Sequence, residues 1–117
     1  MSISYDSLLA EQAKHRAAFG WMLIRWRAAN DWRVYDPARL AESNGFLAVS
    51  YGLWRRLELG AAGELKVATF MALGELNRQP GITWIGDWDG ETTRWGPTEF
   101  WACYCGLRPV PARWRQP

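Results

Sequence analysis

Few side chains in this chain could do covalent or metal chemistry, and their spacing argues against most of it. Two cysteines stand in Cys103-Tyr104-Cys105, one residue short of the spacer used by a thioredoxin-like redox pair. On a helix they would point to nearly opposite sides. A zinc site needs about four ligands, and the single histidine, His15, sits far away between Lys14 and Arg16. A Cys–His nucleophilic pair would need that histidine brought over from the first helix. The simpler reading is a solvated helix histidine and two inert thiols. Asp87, Asp89 and Glu91 alternate with Trp88 and Gly90, but they lack the full loop and terminal Glu of a calcium site and read as an acidic hairpin tip. No phosphate-binding glycine motif occurs. The residues therefore predict no catalytic site, no metal and no cofactor, and the chain is expected not to be an enzyme.

What stands out is arginine and tryptophan. Nine of the 117 residues are Trp, and only Lys14 and Lys66 among the 14 basic residues are not Arg. Both side chains suit stacked, bidentate or phosphate-facing surfaces, although biased codon usage would give the same composition. The net charge of +2 is too small to mark a nucleic-acid binder by itself. Its distribution says more: residues 14–60 carry eight bases against four acids, while residues 61–80 and 81–117 are balanced. The apolar content of 49% and charged content of 22% fit a folded domain and exclude a disordered chain. No apolar run approaches about 18 residues, so no transmembrane helix is expected. The opening MSISYDSLL lacks the basic and apolar regions of a secretory signal, and cytoplasm is the expected compartment.

The elements that must position these residues are mostly helical. Ser7 to Asn30 contains no Pro, and Phe19, Met22, Leu23 and Trp26 recur at three- and four-residue steps, one face of a helix. Gly20 weakens its middle and predicts a bend or break there. Asp36-Pro37 predicts a helix start with Asp36 as cap, and Asn44-Gly45 its end. Ser50 is expected to cap a third helix, Tyr51 to Leu59, striped by Leu53, Trp54 and Leu57. A fourth is expected from Glu64 to Asn77. After Pro80 the character changes. Asp89-Gly90 signals a hairpin, Pro97 opens a short helix to Tyr104, and the proline-rich end reads as an extended tail. The predicted organisation is a helical domain over 1–80 and a Trp-rich extension over 81–117.

The run Val49-Ser50-Tyr51-Gly52-Leu53-Trp54-Arg55-Arg56-Leu57-Glu58-Leu59-Gly60 resembles the recognition helix of the phage-repressor, or XRE, helix-turn-helix family. Leu40-Ala41-Glu42 with Gly45 resembles the supporting helix, and Leu65 to Asn77 the helix that follows. The resemblance covers roughly residues 19–77. It departs from the family pattern where Phe46-Leu47-Ala48 lengthen the turn and Arg33 to Asp36 lengthen the approach. It implies a mainly α fold: a four- to five-helix lambda repressor-like domain with a small Trp-rich extension. It also implies that Ser50, Tyr51, Gly52, Arg55 and Arg56 face double-stranded DNA, and that Arg27 and Glu58 form a salt bridge between the first and third helices.

The expected function is a non-enzymatic DNA-binding transcriptional regulator acting as a homodimer. Five of the nine Trp (Trp84, Trp88, Trp95, Trp101 and Trp114) lie in residues 81–117, so that extension is the candidate dimerisation element. Two alternatives come from other classes. The small net charge, apolar third helix and long turn suit a protein-interaction module that keeps the fold without DNA contact. The Trp-rich extension would suit binding of a small ligand or sugar.

Overall fold

Ser4 caps the first helix: its hydroxyl accepts the Ser7 amide at 3.1 Å. The computed structural model describes residues 4–86 and 93–117, and in it helix α1 runs over Tyr5–Ala29. The helix continues unbroken through Gly20. A Cβ at Gly20 would come within 2.5 Å of the Glu58 carbonyl oxygen and 2.6 Å of that of Leu57. The missing side chain is therefore a packing device, which lets the end of the third helix rest directly on α1. Phe19, Met22, Leu23 and Trp26 form the buried face of α1, as their spacing predicts.

Helix α2 spans Asp36–Ser43. Tyr35, not Asp36, occupies its cap position. Asp36 sits in the first turn, where its carboxylate accepts the Arg33 amide at 2.7 Å and complements the helix dipole. Helix α3 spans Tyr51–Glu58, and the Ser50 hydroxyl accepts the Leu53 amide at 3.1 Å. Helix α4 spans Val67–Leu76, three residues later than the expected start at Glu64. Gly63 takes φ +72° and its carbonyl accepts the Tyr104 hydroxyl, so the approach to α4 is held as a loop. Helix α5 spans Pro97–Tyr104, and Gly106 at φ +79° ends it.

The core draws on both sides of Pro80. Phe19 and Trp26 of α1, Trp54 and Leu57 of α3, and Leu73 and Leu76 of α4 share one buried cluster with Ile85, Trp95, Phe100 and Trp114. Two asparagines fasten the later segment by hydrogen-bonding its backbone. Asn77, fully buried, donates to the carbonyls of Ile85 (2.8 Å) and Trp95 (3.0 Å) and accepts the Ile85 amide at 2.8 Å. Asn30 accepts the Thr83 amide at 2.7 Å and donates to its carbonyl at 2.9 Å, which also accepts the Trp26 indole N–H.

Gly86 and Arg94 form an antiparallel bridge, and the Trp95 amide donates to Ile85 at 2.9 Å. The expected Asp89-Gly90 turn and the acidic tip of Asp87, Asp89 and Glu91 lie outside the described residues. The chain end is not a free extended tail. A 3-10 turn at Ala112–Trp114 buries Trp114, and Arg25 of α1 donates to the Arg115 carbonyl at 2.9 Å. Burying a side chain of this size stabilises by about 3 kcal/mol, enough to hold a short terminal segment down. The fold is mainly α, with five α-helices among the described residues. None of them is long and apolar enough to cross a membrane.

Candidate nucleic-acid interface

Helix α3 divides its residues between core and solvent at the helical period. Trp54 and Leu57 point inward and are essentially fully buried. Ser50, Tyr51, Arg55 and Arg56 are exposed, with Gly52 half-buried between them. The five residues expected at the interface thus lie together on the first two turns of one helix. Gly52 has open space around it: a Cβ would meet only the Arg56 side chain, at 3.7 Å.

The orientation of α3 is fixed from behind. Arg27 Nε donates to Glu58 Oε2 at 2.7 Å, and its Nη2 donates to Oε1 at 3.1 Å. The pair expected from the sequence is therefore a two-pronged bridge, which adds geometric specificity to charge attraction. Glu58 also accepts the Trp54 indole N–H. One carboxylate thus ties the end of α1 to a core tryptophan and to the last turn of α3.

Three further residues extend this surface. Tyr35, at the start of α2, lies beneath two guanidinium groups: those of Arg33 and Arg39 stand 5.8 and 5.2 Å from its ring centre. Arg33 also donates to the Tyr35 hydroxyl at 2.9 Å. That hydrogen bond, followed by the nearby Tyr35 and Asp36, holds the Arg33 guanidinium above its ordinary pKa. Sequence reasoning passed over Arg33, Tyr35 and Arg39. The available signal was three cationic or aromatic residues bracketing the α2 start, inside the basic stretch.

A groove of about 450 Å³ separates α2 from α3, lined by residues that include Tyr35, Arg39, Leu47, Ser50 and Tyr51. The long turn forms one wall. Gly45 takes φ +84° and the Phe46 amide donates to the Ala41 carbonyl at 2.9 Å. Phe46 packs against the core and Val49 is buried, so Leu47 between them is thrown outward and is 76% exposed.

The cysteines behave as their spacing implies. Cys103 is buried and Cys105 exposed, and burial pushes the Cys103 thiol up to about 12. His15 is more than a solvated helix residue. It lies against Gly106, where an added side chain would strike its ring, and its Nε2 stands 3.5 Å from Glu11. A cleft of about 470 Å³ has Glu11, His15, Tyr104 and Cys105 in its walls. Burial holds the Tyr104 hydroxyl above its ordinary pKa, with Arg16 opposing and Cys105 reinforcing the shift. No group of three metal-ligating side chains comes together among the described residues.

Of the five tryptophans beyond Pro80, Trp95 and Trp114 are buried, Trp84 is half-buried and Trp101 is 46% exposed. Trp88 lies outside the described residues.

Among known proteins, a family model described as a domain of unknown function (DUF8644) matches residues 9–81, more than half of the chain. No curated protein and no solved structure matches it.

Proposed function

We propose a function for this chain, which belongs to the DUF8644 family: it is a non-enzymatic DNA-binding transcriptional regulator. In this reading α2 and α3 are the two helices of a lambda repressor-like helix-turn-helix, and α3 enters the major groove. The observation that carries it is the exposed, Ser50-capped start of α3, with Tyr51, Arg55 and Arg56 on its outer surface. Arg39 lines the groove that Ser50 and Tyr51 also line, and Arg33 stands over Tyr35, another residue of that groove. A capped helix start offers its remaining first-turn N–H groups to phosphate. The guanidinium groups add charge-assisted contacts. With one tyrosine and two arginines available on α3, phosphate contacts outnumber base contacts, so binding is salt-sensitive and modest in specificity. The test is binding to genomic DNA fragments, the protein's own upstream region included, at low and moderate salt. Absence of binding at low salt defeats the reading.

Such regulators act as two-fold dimers on paired half-sites about 34 Å apart, and a homodimer is part of the proposal. Since Trp95 and Trp114 are buried within the chain, the dimer contact falls to exposed residues of the extension, with Trp101 foremost. Sedimentation equilibrium should show a dimer that Trp101→Glu shifts toward monomer. A full-length chain that stays monomeric at high concentration removes the dimer from the proposal.

One observation favours a second reading. Leu47 and Leu59 flank α3 at 76% and 71% exposure, more apolar surface than phosphate contact requires. A protein-interaction module keeping the helical fold would use it. This reading gains if no duplex binds at low salt.

A further inference from the structure

We infer that the cleft between α1, α4 and α5 binds a free α-amino acid with a large apolar side chain, its carboxylate held by Arg16 and its ammonium by Glu64. The inference stands apart from the DNA-binding reading. It shares only Trp101 with the proposed dimer contact, and the variants below leave that residue alone.

The cleft is built where α1 leaves the core. Residues 4–14 are all exposed, so the first turns of α1 lie outside the packed part of the fold. Leu8, Gln12, His15 and Arg16 follow one another at helical spacing and share the side of α1 that becomes the core stripe from Phe19 onward. Across from them stand Trp101 and Tyr104 of α5, Phe70 of α4, and Leu65 just before α4. The space they line is about 470 Å³, a volume typical of small-molecule sites. Phe70 and Tyr104 are its buried lining, and Leu8 and Trp101 its exposed edge.

The charges in the cleft say what it takes. Glu11, Glu64, His15 and Arg16 all line it. His15 Nε2 and Glu11 stand 3.5 Å apart and face each other. Arg16 and Glu64 have no such mate: among the described residues neither makes an ion pair or a side-chain hydrogen bond. One ring positions both. The Arg16 guanidinium lies 5.5 Å from the ring centre of Tyr104, and the Tyr104 hydroxyl donates to the carbonyl of Gly63, the residue before Glu64. Arg16 is half-buried, and its fork of N–H donors suits a carboxylate.

A ligand with only a negative charge would meet Glu11 and Glu64 as well as Arg16. A ligand with only a positive charge would meet Arg16 itself. An uncharged apolar molecule would strip water from a guanidinium and a carboxylate and give nothing back. A zwitterion with an apolar body satisfies all three features. In a free α-amino acid the two charges are one carbon apart, close enough to span from Arg16 to Glu64 around one ring. The side chain then covers Leu65, Phe70 and the face of Trp101.

The experiment is calorimetric titration of the full-length chain at neutral pH with L-phenylalanine. Its controls are phenethylamine, which lacks the carboxylate, hydrocinnamate, which lacks the ammonium, and glycine, which lacks the side chain. We expect one L-phenylalanine per chain. Each singly charged analogue should bind more weakly by about tenfold, the worth of a hydrogen bond to a charged group, and glycine should not bind. Arg16→Gln should lower L-phenylalanine to the level of phenethylamine, and Glu64→Gln to the level of hydrocinnamate, with circular dichroism unchanged. Arg16→Lys keeps the charge without the fork and should fall between wild type and Arg16→Gln. If Arg16→Gln alters the circular dichroism, Glu64→Gln, at an exposed loop residue, carries the test alone. Absence of binding by millimolar L-phenylalanine, L-leucine and L-methionine overturns the proposal. So does an analogue that binds as tightly as L-phenylalanine, or a preference that survives in the variants. None of these outcomes touches the DNA-binding reading, which duplex titration tests separately.

Discussion

Arg27 grips Glu58 with two hydrogen bonds, at 2.7 and 3.1 Å, and the carboxylate is 92% shielded from solvent while the guanidinium keeps about a quarter of its exposure. The acceptor is thus the buried partner, and it also holds the Trp54 indole N–H. Removing either member leaves a desolvated group behind, which for a buried pair costs about 3 kcal/mol. The two truncations should differ. Glu58→Ala strips partners from both Arg27 and Trp54, but Arg27 can still reach water. Arg27→Ala leaves a carboxylate with little solvent and should be the more damaging. Urea unfolding monitored by Trp fluorescence measures both, and the double variant should be less destabilised than the sum.

Gly20 and Gly52 both lie in helices, and substitution should have opposite effects at the two sites. Alanine is favoured over glycine in a helix by about 1 kcal/mol. At Gly52 nothing opposes that gain, since the nearest atom to a Cβ is an arginine nitrogen at 3.7 Å. Gly52→Ala should raise the melting temperature. At Gly20 two backbone carbonyl oxygens lie within 2.6 Å of the Cβ position, and helix backbone cannot swing aside. Pushing α3 off α1 costs about 1–3 kcal/mol, so Gly20→Ala should be net destabilising. Equal melting shifts for the two variants would refute the close crossing.

The thiols predict a pH signature. Native protein should alkylate at Cys105 and not at Cys103, giving one modified thiol per chain by mass spectrometry, and two once unfolded. In the folded chain burial raises the Cys103 thiol from 9.0 to about 12. A raised acid means that the folded state keeps a proton the unfolded state has already released. Its stabilising effect is therefore complete below pH 9 and is lost as pH climbs from 9 toward 12. The loss is about 1.4 kcal/mol per pH unit in that window. Melting temperature should fall with pH above 9. Cys103→Ala should flatten the fall, leaving the part that belongs to the Tyr104 hydroxyl, which burial also raises.

The helical elements were legible because they rest on local signals. The 3.6-residue apolar stripe of α1, the Ser50 cap and the Asp36-Pro37 start are all written within a few residues of where they act. The Arg27–Glu58 bridge was legible only through the family resemblance, since nothing local pairs residues so far apart. What stayed hidden depends on distant partners. Asn77 looks like one more helix-ending residue, yet its amide carries the backbone of Ile85 and Trp95. Gly20 looks like a weak point because its value lies in what α3 does beside it. The docking of Trp114 was invisible because three prolines suggest an extended segment, and no local pattern reports the core face that receives it. At the candidate site, α3 could be read from its stripe and cap. The Tyr35 cluster could not, since Arg39, inside α2, comes over the Tyr35 ring only once that helix has formed.

The double variant Arg55→Ala/Arg56→Ala isolates the electrostatic part of the proposed DNA binding. Both side chains are exposed and project from α3, away from Trp54 and Leu57, so the fold should survive and circular dichroism should not change. Each phosphate contact releases counterions and contributes about 0.9 to the slope of log K against log salt. If both arginines meet phosphate, the variant's slope should fall by about 1.8. Its affinity at low salt should drop by orders of magnitude. If instead one arginine meets a guanine edge bidentately, the slope should fall by about 0.9, and the discrimination between sequences should shrink with it. Arg33→Ala/Arg39→Ala provides the comparison. A similar fall in slope there extends the interface across the groove to Tyr35, and an unchanged slope confines it to α3. A slope and affinity untouched in both double variants would mean that this face does not bind DNA.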